Sequence, residues 1–413
     1  MDQPSWVNVP EKSDFSIHNL PYGIFSTAER IPRVGVAIGE DILDMAVLAE
    51  LGYFDDLAID TAVFYQKRLN HFIALGKEAW AKVRAKVTTV LSADSDLAKH
   101  AKDVLVPMSA ATMHLPIQIG DYTDFYSSIE HATNVGKMFR DPDNALLPNW
   151  KHLPVGYHGR ASSIVVSGTD IHRPKGQTIP PNAEQPVYGA SKRMDFELEM
   201  AFITGKATEL GEQVSVEQAE NHIFGMVLFN DWSARDIQKW EYVPLGPFLG
   251  KNFGSSISPW VVTMEALEPF RVQGPEQDPK PLPYLQTTGA KGYDINLEVY
   301  LQPENEQENL ISESNFKYMY WNMPQQLAHH TVNGCNINIG DVYASGTISG
   351  PTKNAFGSML ELSWGGKETL QLKNGIERKF LEDNDTVIMR GYAQKDGMRV
   401  GFGEVKSKLL PAK

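Results

Sequence analysis

The N-terminal part of the chain alternates short apolar runs with turn-forming residues. Residues 23–25, 33–38 and 42–45 are apolar runs of strand length, and Gly39-Glu40-Asp41 forms a tight turn between the last two. This pattern predicts short strands that form a small barrel or sheet.

Helical spacing replaces the short runs from residue 46 to residue 102. Apolar residues recur every three or four positions in one segment that ends at Gly76, and again over residues 80–91. Proline-containing stretches between residues 106 and 117 then predict a linker. We therefore expect two domains, residues 1–118 and 119–413.

Strands and turns dominate the second part of the chain. The unbroken apolar run 223–229 predicts a buried strand, and the pairs Asn374-Gly375 and Asp396-Gly397 predict hairpin turns. A loop rich in proline, glycine and lysine is predicted over residues 172–192, and a helix over about 316–333, kinked at its proline. The fold class is mainly β with some helix.

One predicted strand concentrates acidic residues on a single face. In residues 195–202, the side chains at even positions are apolar, whereas Asp195, Glu197 and Glu199 are acidic. Read as a strand, this segment places Glu197 and Glu199 about 7 Å apart on one face. A hard divalent cation would relieve their repulsion. An exposed edge strand with an acidic outer face explains the same pattern.

Two more carboxylates lie in settings that favour function. Asp231 follows the buried strand 223–229, and Asp124 lies in a dense cluster of polar and aromatic residues. A side chain at the end of a buried strand is held rigidly, although Asp231 could instead cap a helix. With Glu197 and Glu199 these residues provide four carboxylates, enough for a Ca²⁺ or Mg²⁺ site.

Composition and charge exclude several classes of protein. The 413 residues carry a formal net charge of −13, which argues against nucleic acid or an anionic membrane surface as a partner. The single cysteine, Cys335, excludes an intrachain disulfide and suits a reducing compartment, so we expect a cytoplasmic protein. We expect no signal peptide and no membrane span, since neither apolar pattern occurs.

Common catalytic and nucleotide-binding signatures are missing from the sequence. It contains no Gly-x-Gly-x-x-Gly after a strand, no complete P-loop, no Gly-x-Ser-x-Gly and no His-Glu-x-x-His. A dinucleotide-binding enzyme, a serine hydrolase and a zinc protease are therefore disfavoured.

Other polar residues complete a candidate catalytic site. His131 is the best candidate for a general base because its pKa range suits proton transfer near neutral pH, although a single histidine is more often structural. Glu361 lies in an apolar segment and needs a partner, for which His131 is a candidate. Arg235, Gln238 and Lys251 are either surface residues or donors that bind an anionic substrate or an oxyanion.

Several long strings resemble the full-length, two-domain members of the fumarylacetoacetate hydrolase family. The resemblance rests on Asp124-Phe125-Tyr126-Ser127-Ser128, on Asn230-Asp231-Trp232-Ser233, and on residues 131–134, 154–163, 195–199, 235–236, 246–254, 345–351 and 357–361. It also extends through the N-terminal segment, so it covers both predicted domains.

This resemblance implies a fold, an assembly and a reaction. The fold is an N-terminal SH3-like β-barrel followed by a C-terminal β-roll or sandwich, and the molecule is a homodimer. The reaction is the hydrolysis of a carbon–carbon bond in fumarylacetoacetate, a small-molecule diketo acid, to fumarate and acetoacetate. This step ends phenylalanine and tyrosine catabolism. Another acylpyruvate or diketo-acid hydrolase, a decarboxylase or an isomerase of the same fold is the alternative, and a binding protein with a structural Ca²⁺ site is a third.

The resemblance also implies roles for individual residues. The ligands of Ca²⁺, Mg²⁺ or Mn²⁺ are Asp124, Glu197, Glu199 and Asp231. His131 activates water, Glu361 orients His131, and the oxyanion donors are Arg235, Gln238 and Lys251. The substrate contacts are Tyr126, Arg140, Tyr157, Gln238, Tyr242 and Thr347.

A second cation, Mg²⁺ or Na⁺, is implied near Asp231, Lys251 and Ser255. The chain departs from the family pattern at Ser255, where threonine is expected. It departs again at Ile129-Glu130, where Arg-Gln is expected.

Overall fold

The computed structural model describes residues 5–413, which form mostly strands with some helices. The N-terminal strands are β1 (Tyr22–Ser26), β2 (Arg33–Ile38), β3 (Asp41–Asp44), β4 (Leu105–Pro107) and β5 (Thr112–His114). They form an antiparallel half-barrel sheet in the order β4-β3-β2-β1-β5. The linker predicted at residues 106–108 and 115–117 is wrong at Val106 and Pro107, which lie in the edge strand β4, whereas residues 115–117 follow β5 and lie outside strands and helices. Pro107 fits there because an edge strand does not need every backbone N–H.

Helices cover one side of the N-terminal sheet. They are α1 (Met45–Glu50), α2 (Asn70–Ile73), α3 (Lys77–Leu91) and α4 (Ala101–Val104). The predicted helix over 80–91 is confirmed as α3. The preceding segment is instead a 3₁₀ turn over Thr61–Tyr65 followed by the single turn of α2.

The rest of the chain builds two larger sheets and several two-stranded ribbons. Its strands are β6 (Tyr122–Phe125), β7 (Gly156–His158), β8 (Ile164–Val166), β9 (Ile171–His172), β10 (Lys175–Thr178), β11 (Val187–Ala190), β12 (Met194–Asp195), β13 (Leu198–Thr204), β14 (Ile223–Asp231), β15 (Ser233–Ala234), β16 (Ser255–Ile257), β17 (Val262–Thr263), β18 (Arg271–Val272), β19 (Gly292–Tyr293), β20 (Asn296–Gln302), β21 (Asn309–Asn315), β22 (Val342–Ala344), β23 (Leu370–Gln371), β24 (Glu377–Arg378), β25 (Thr386–Lys395) and β26 (Met398–Leu410). Its helices are α5 (Ile129–Phe139), α6 (Arg235–Glu241), α7 (Met264–Leu267), α8 (Met323–Thr331) and α9 (Met359–Leu362). None of the helices within residues 5–413 is both long enough and apolar enough to cross a membrane.

Both larger sheets are mainly antiparallel and contain parallel pairs. The first has the order β7-β6-β22-β13-β14-β16-β8, with β17 also paired to β14. Its pairs β6–β22 and β8–β16 are parallel. The second has the order β21-β20-β25-β26-β9 and is antiparallel except for the pair β26–β9. Parallel pairs join segments that are far apart in sequence.

The centre of the first sheet is buried on both faces. Met200 and Leu228 pack into one core together with residues of the second sheet, whereas Ile203 and Val227 pack into another together with the N-terminal strands and helices. The strand over 223–229 is confirmed as β14. The exposed acidic edge strand is excluded, because β13 lies in the middle of the sheet and is buried throughout.

Other local predictions have mixed outcomes. Both hairpin turns are confirmed, with positive φ at Asn374, Gly375, Asp396 and Gly397. The predicted loop over 172–192 contains the paired strands β10 and β11. The predicted helix over 316–333 is confined to α8, and Pro324 lies in its first turn, where it causes no kink because no intrahelical N–H is needed.

Candidate functional site

Four carboxylates converge where the carboxyl ends of β6 and β14 meet the amino end of the antiparallel strand β13. Asp124 lies on β6, Glu199 on β13 and Asp231 at the end of β14, while Glu197 immediately precedes β13. Each offers an oxygen atom, and these four atoms lie within 4.8 Å of one another. All four residues are buried.

Sheet pairing explains why these distant residues meet. Strand β22 separates β6 from β13, and its Ala344 is paired with Asp124 on one side and with Ala201 on the other. Just after β22, the Gly346 N–H donates to Glu199 Oε2 at 3.0 Å. Gly346 has φ +77°, and a Cβ atom there would lie 2.2 Å from the Phe125 carbonyl oxygen. A larger residue therefore does not fit beside the cluster.

Two of the carboxylates combine a raised pKa with an oxygen atom that has no hydrogen-bond partner within residues 5–413. Burial raises the pKa of Asp124 well above its usual range, and the charge of Asp231 raises it further. Burial likewise raises the pKa of Glu199, together with the charge of Asp124. In the part of the chain that the structure describes, Asp124 Oδ1 and Glu199 Oε1 are buried and have no hydrogen-bond partner. This all-oxygen donor set with unsatisfied atoms fits a hard divalent cation.

The other two carboxylates have cationic partners. Lys251 Nζ contacts Glu197 Oε2 and lies 2.7 Å from Asp231 Oδ2. Arg235 Nη1 lies 2.6 Å from Glu197 Oε1. Burial opposes ionisation of Glu197, but the charges of Lys251 and Arg235 outweigh it and lower the pKa of Glu197. Burial still raises the pKa of Asp231, although Lys251 counteracts it.

A buried histidine–glutamate pair lies beside the cluster. His131 Nδ1 lies 2.7 Å from Glu361 Oε2. The Glu361 carboxylate also accepts from Asn134 Nδ2 at 2.9 Å, from Ser349 Oγ at 2.8 Å and from Ser358 Oγ at 2.9 Å. Burial opposes ionisation of Glu361, but His131 and these donors lower its pKa. The structure therefore pairs the two residues that the sequence analysis proposed as partners.

Helix caps hold this pair in place. Ser128 Oγ accepts from the His131 N–H at the start of α5, and Ser358 Oγ accepts from the Glu361 N–H at the start of α9. Asp195 links α9 to α6, because it accepts the N–H groups of Met359 and Leu360 and also binds Arg235 Nε at 2.8 Å.

The remaining predicted residues lie at different depths. Tyr126 packs edge-on against the His131 ring, Tyr157 Oη donates to Asp231 Oδ2 at 3.3 Å, and Thr347 Oγ1 is buried without a partner. Ser255 Oγ donates to Asp231 Oδ1 at 2.7 Å, and Gln238 Oε1 accepts from Arg235 Nη1 at 3.3 Å. Outside this group, Arg140 is exposed at the end of α5, and Tyr242 is 53% exposed at the end of α6.

Sequence reasoning missed the residues that support the pair. It assigned no role to Asn134, Ser349 or Ser358, and it treated Asp195 only as part of an acidic face. The spacing of Ser358 and Glu361 is that of a helix capping box and could have indicated that Ser358 begins a helix. Nothing in the local sequence marks Asn134 or Ser349, because their contacts with Glu361 depend on tertiary packing.

Two family models together match almost the whole chain. The model described as Fumarylacetoacetase N-terminal matches residues 18–116, and the one described as Fumarylacetoacetate (FAA) hydrolase C-terminal matches residues 122–409.

Curated relatives are similar over nearly their full length. The chain is 58% identical to a fumarylacetoacetase of Homo sapiens, with 99% of each chain covered. It is 56% identical to one of Caenorhabditis elegans and 51% identical to one of Arabidopsis thaliana, with 99% of this chain covered in both and 99% and 98% of the relatives. A solved fumarylacetoacetate hydrolase from Exiguobacterium antarcticum shares the fold, with a TM-score of 0.54, 19% identity and coverage of 95% of this chain and 100% of that one.

Proposed function

The chain belongs to the fumarylacetoacetate hydrolase family, and on this basis we propose that it hydrolyses fumarylacetoacetate to fumarate and acetoacetate. The observation that carries the proposal is the His131–Glu361 pair beside four buried carboxylates, within a chain that matches two-domain fumarylacetoacetases from end to end. The reaction is the final step of phenylalanine and tyrosine catabolism.

A divalent cation is part of this proposal. Asp124, Glu197, Glu199 and Asp231 would hold it, and Ca²⁺ is favoured over Mg²⁺ or Mn²⁺ because Ca²⁺ accepts a large, flexible set of carboxylates. The bound cation would polarise the substrate carbonyl group and stabilise negative charge on the leaving group.

We also propose a second cation, Mg²⁺ or Na⁺, beside Asp231, where the Ser255 hydroxyl oxygen lies 2.7 Å from Asp231 Oδ1. Lys251 bonds to the other oxygen atom of Asp231, and its ammonium group is not a metal ligand. The ligands of this cation would therefore be the hydroxyl and carboxylate oxygen atoms.

His131 acts as the general base. Its Nδ1 is held by Glu361, which leaves Nε2 to accept a proton from water. The Glu361 carboxylate stabilises the imidazolium that forms. The water oxygen then bonds to the carbonyl carbon, and the carbon–carbon bond breaks with its electron pair on the acetoacetate side. A proton returned to that carbon completes the products.

Three donors would stabilise the oxyanion formed during attack. Lys251, Arg235 and Gln238 line the same side of the carboxylate cluster through their contacts with Glu197 and with one another. Arg235 Nη2 is buried without a partner, so it has a free donor. One such donor is worth about 3–4 kcal/mol in comparable enzymes.

The substrate contacts follow from the remaining polar groups. Tyr126, Tyr157 and Thr347 provide hydroxyl groups, and the partnerless Thr347 Oγ1 fits a ligand contact. Arg140 and Tyr242 lie farther out, where a cation suits a substrate carboxylate.

We also propose a cytoplasmic homodimer. Large apolar side chains are exposed at the end of α6 and in the segment after it, and these are Trp240, Tyr242, Val243, Leu245 and Phe248. Exposed apolar clusters mark interaction sites, and a second copy is the occupant we propose. Leu245→Asp should dissociate the dimer in sedimentation, whereas Leu210→Asp, at an exposed position elsewhere, should not.

The direct test is hydrolysis of the substrate. Purified protein is mixed with fumarylacetoacetate, and loss of its ultraviolet absorbance is followed with and without EDTA. We expect rapid loss that EDTA suppresses while circular dichroism is unchanged. No turnover with the cation present would refute the proposed function, and equal rates with and without EDTA would refute the role of the cation.

A further inference from the structure

One carboxylate outside the cluster accepts hydrogen bonds from three backbone N–H groups. Glu241, the last residue of α6, accepts from the N–H groups of Phe248 and Gly250 at Oε1, both at 2.8 Å. Its Oε2 accepts from the Leu249 N–H at 3.0 Å. These bonds close the loop formed by residues 242–249.

The loop has little apolar packing to hold it. Leu245 is 96% exposed, and Phe248 is 66% exposed. Within the loop, the Gly246 N–H donates to the Tyr242 carbonyl oxygen at 2.6 Å. Within one protomer, the three bonds to the Glu241 carboxylate therefore join the end of the loop to the end of α6.

The segment held by Glu241, residues 248–250, is followed directly by a residue of the site. Gly250 packs against Gln238 so closely that an added Cβ atom would lie 2.8 Å from the Gln238 Cβ. The Gly250 carbonyl oxygen accepts from the Ala234 N–H at 2.8 Å. Lys251 follows at once, and its ammonium bridges Glu197 and Asp231.

We propose that Glu241 is a positioning residue that fixes residues 248–250, so that the Lys251 ammonium lies between Glu197 and Asp231. The inference rests on the proposed function, in which Lys251 stabilises the oxyanion. A carboxylate is needed because it presents only acceptors to the three donors. Glutamine would turn an NH₂ group towards one of them.

The test compares Glu241→Gln with Lys239→Gln, a change at an exposed residue of the same helix. We expect Glu241→Gln to lower kcat roughly tenfold to a hundredfold, since a misplacement of about 1 Å at a reacting centre costs a factor of this size. KM should change less than kcat, and circular dichroism should be unchanged. Lys239→Gln should match the parent protein. Glu241→Asp, whose shorter side chain cannot reach all three N–H groups, provides a second variant.

A double-mutant cycle separates positioning from a general structural role. In a Lys251→Met background, Glu241→Gln should lower kcat by less than twofold, because the residue through which it acts has gone. Additive effects would overturn the inference, as would full activity of Glu241→Gln.

Amide hydrogen exchange distinguishes this inference from the proposed function. Glu241→Gln should speed exchange at Phe248, Leu249 and Gly250 whether or not the protein hydrolyses fumarylacetoacetate. Faster exchange in a protein without that activity would reject the proposed function and support the positioning role of Glu241. Unchanged exchange in an active protein would reject the positioning role alone.

Discussion

The pKa values of two buried glutamates of this protein are shifted in opposite directions because their neighbours differ. Glu361 accepts hydrogen bonds from four side chains, and its pKa is lowered. Glu199 accepts one backbone N–H, has one oxygen atom without a partner, and its pKa is raised. The first is thus suited to hold a charged histidine and the second to receive a cation.

Replacing Glu361 should lower the stability of the protein by an amount that depends on pH. A lowered pKa means that the ionised side chain stabilises the folded state above the ordinary glutamate value of 4.5, and that this stability is lost as pH falls through the lower folded value. Glu361→Gln should lower the free energy of unfolding by about 2–4 kcal/mol at pH 7. In urea denaturation, the difference in unfolding free energy between the parent protein and Glu361→Gln should become smaller below pH 4.5. A difference that does not change with pH would contradict the lowered pKa of Glu361.

Replacing His131 should separate chemistry from metal binding. His131→Ala should abolish turnover, because no other base is held by Glu361, and the four carboxylates should still bind the cation. Steady-state rates and metal analysis of the purified variant check this. Near-normal activity would refute the role of His131 as the base.

At this scale the sequence identified the charged residues of the site but not the neutral residues that set their properties. Asp231 stood out because it follows a long apolar run, and His131 because a histidine side chain suits proton transfer near neutral pH. Asn134 and Ser349 are both more than ten residues away from Glu361 in the sequence. The local sequence pattern therefore does not predict their contacts with Glu361. The geometry of the site therefore had to come from the structure.

Among the elements, β14 joins the two main cores. Its Leu228 faces the core shared with the second sheet, while Val227 and Phe229 face the core shared with the N-terminal domain. An unbroken apolar run is therefore required, which is why this strand was predictable from sequence.

A cavity in β14 should cost far more stability than the same change at a surface strand. Leu228→Ala should lower the free energy of unfolding by about 2–5 kcal/mol. Leu310→Ala, at a residue of β21 that is 45% exposed, should change it by less than about 1 kcal/mol. Urea denaturation of both variants provides the comparison. Equal losses of unfolding free energy in the two variants would contradict the central position of β14 in the packing.

Elements that lack such a run were misjudged. Strand β4 is three residues long and ends in proline, so it resembled a linker, and the three-residue strand β5 was not predicted. Short edge strands are specified by the neighbours they pair with, and these are distant in sequence. The helix predicted over 316–333 began too early because apolar residues that pack into β-sheet cores were read as helical.

For the whole molecule, a cation bound at the carboxylate cluster, as proposed above, would link stability to the concentration of that ion. Buried like charges repel, and two of the four carboxylates have no cationic side chain in contact. An ion that binds only the folded chain stabilises it by mass action.

Removing the cation should therefore lower both activity and Tm. At free Ca²⁺ about one hundred times the Kd, the stabilisation should reach about 2.7 kcal/mol. Differential scanning calorimetry with EDTA and with added Ca²⁺ measures the difference in Tm. Asp124→Asn should make this difference smaller. A Tm that is insensitive to Ca²⁺ would argue against the site.

The parallel pair of β6 and β22 has a consequence for synthesis on the ribosome. Asp124 emerges early, yet the strand that holds it against β13 is made only when residue 344 has been translated. A nascent chain thus cannot assemble the carboxylate cluster, however long it pauses, until most of the message has been read. Products of premature termination upstream of that strand will lack the assembled cluster, even where their N-terminal sheet has formed.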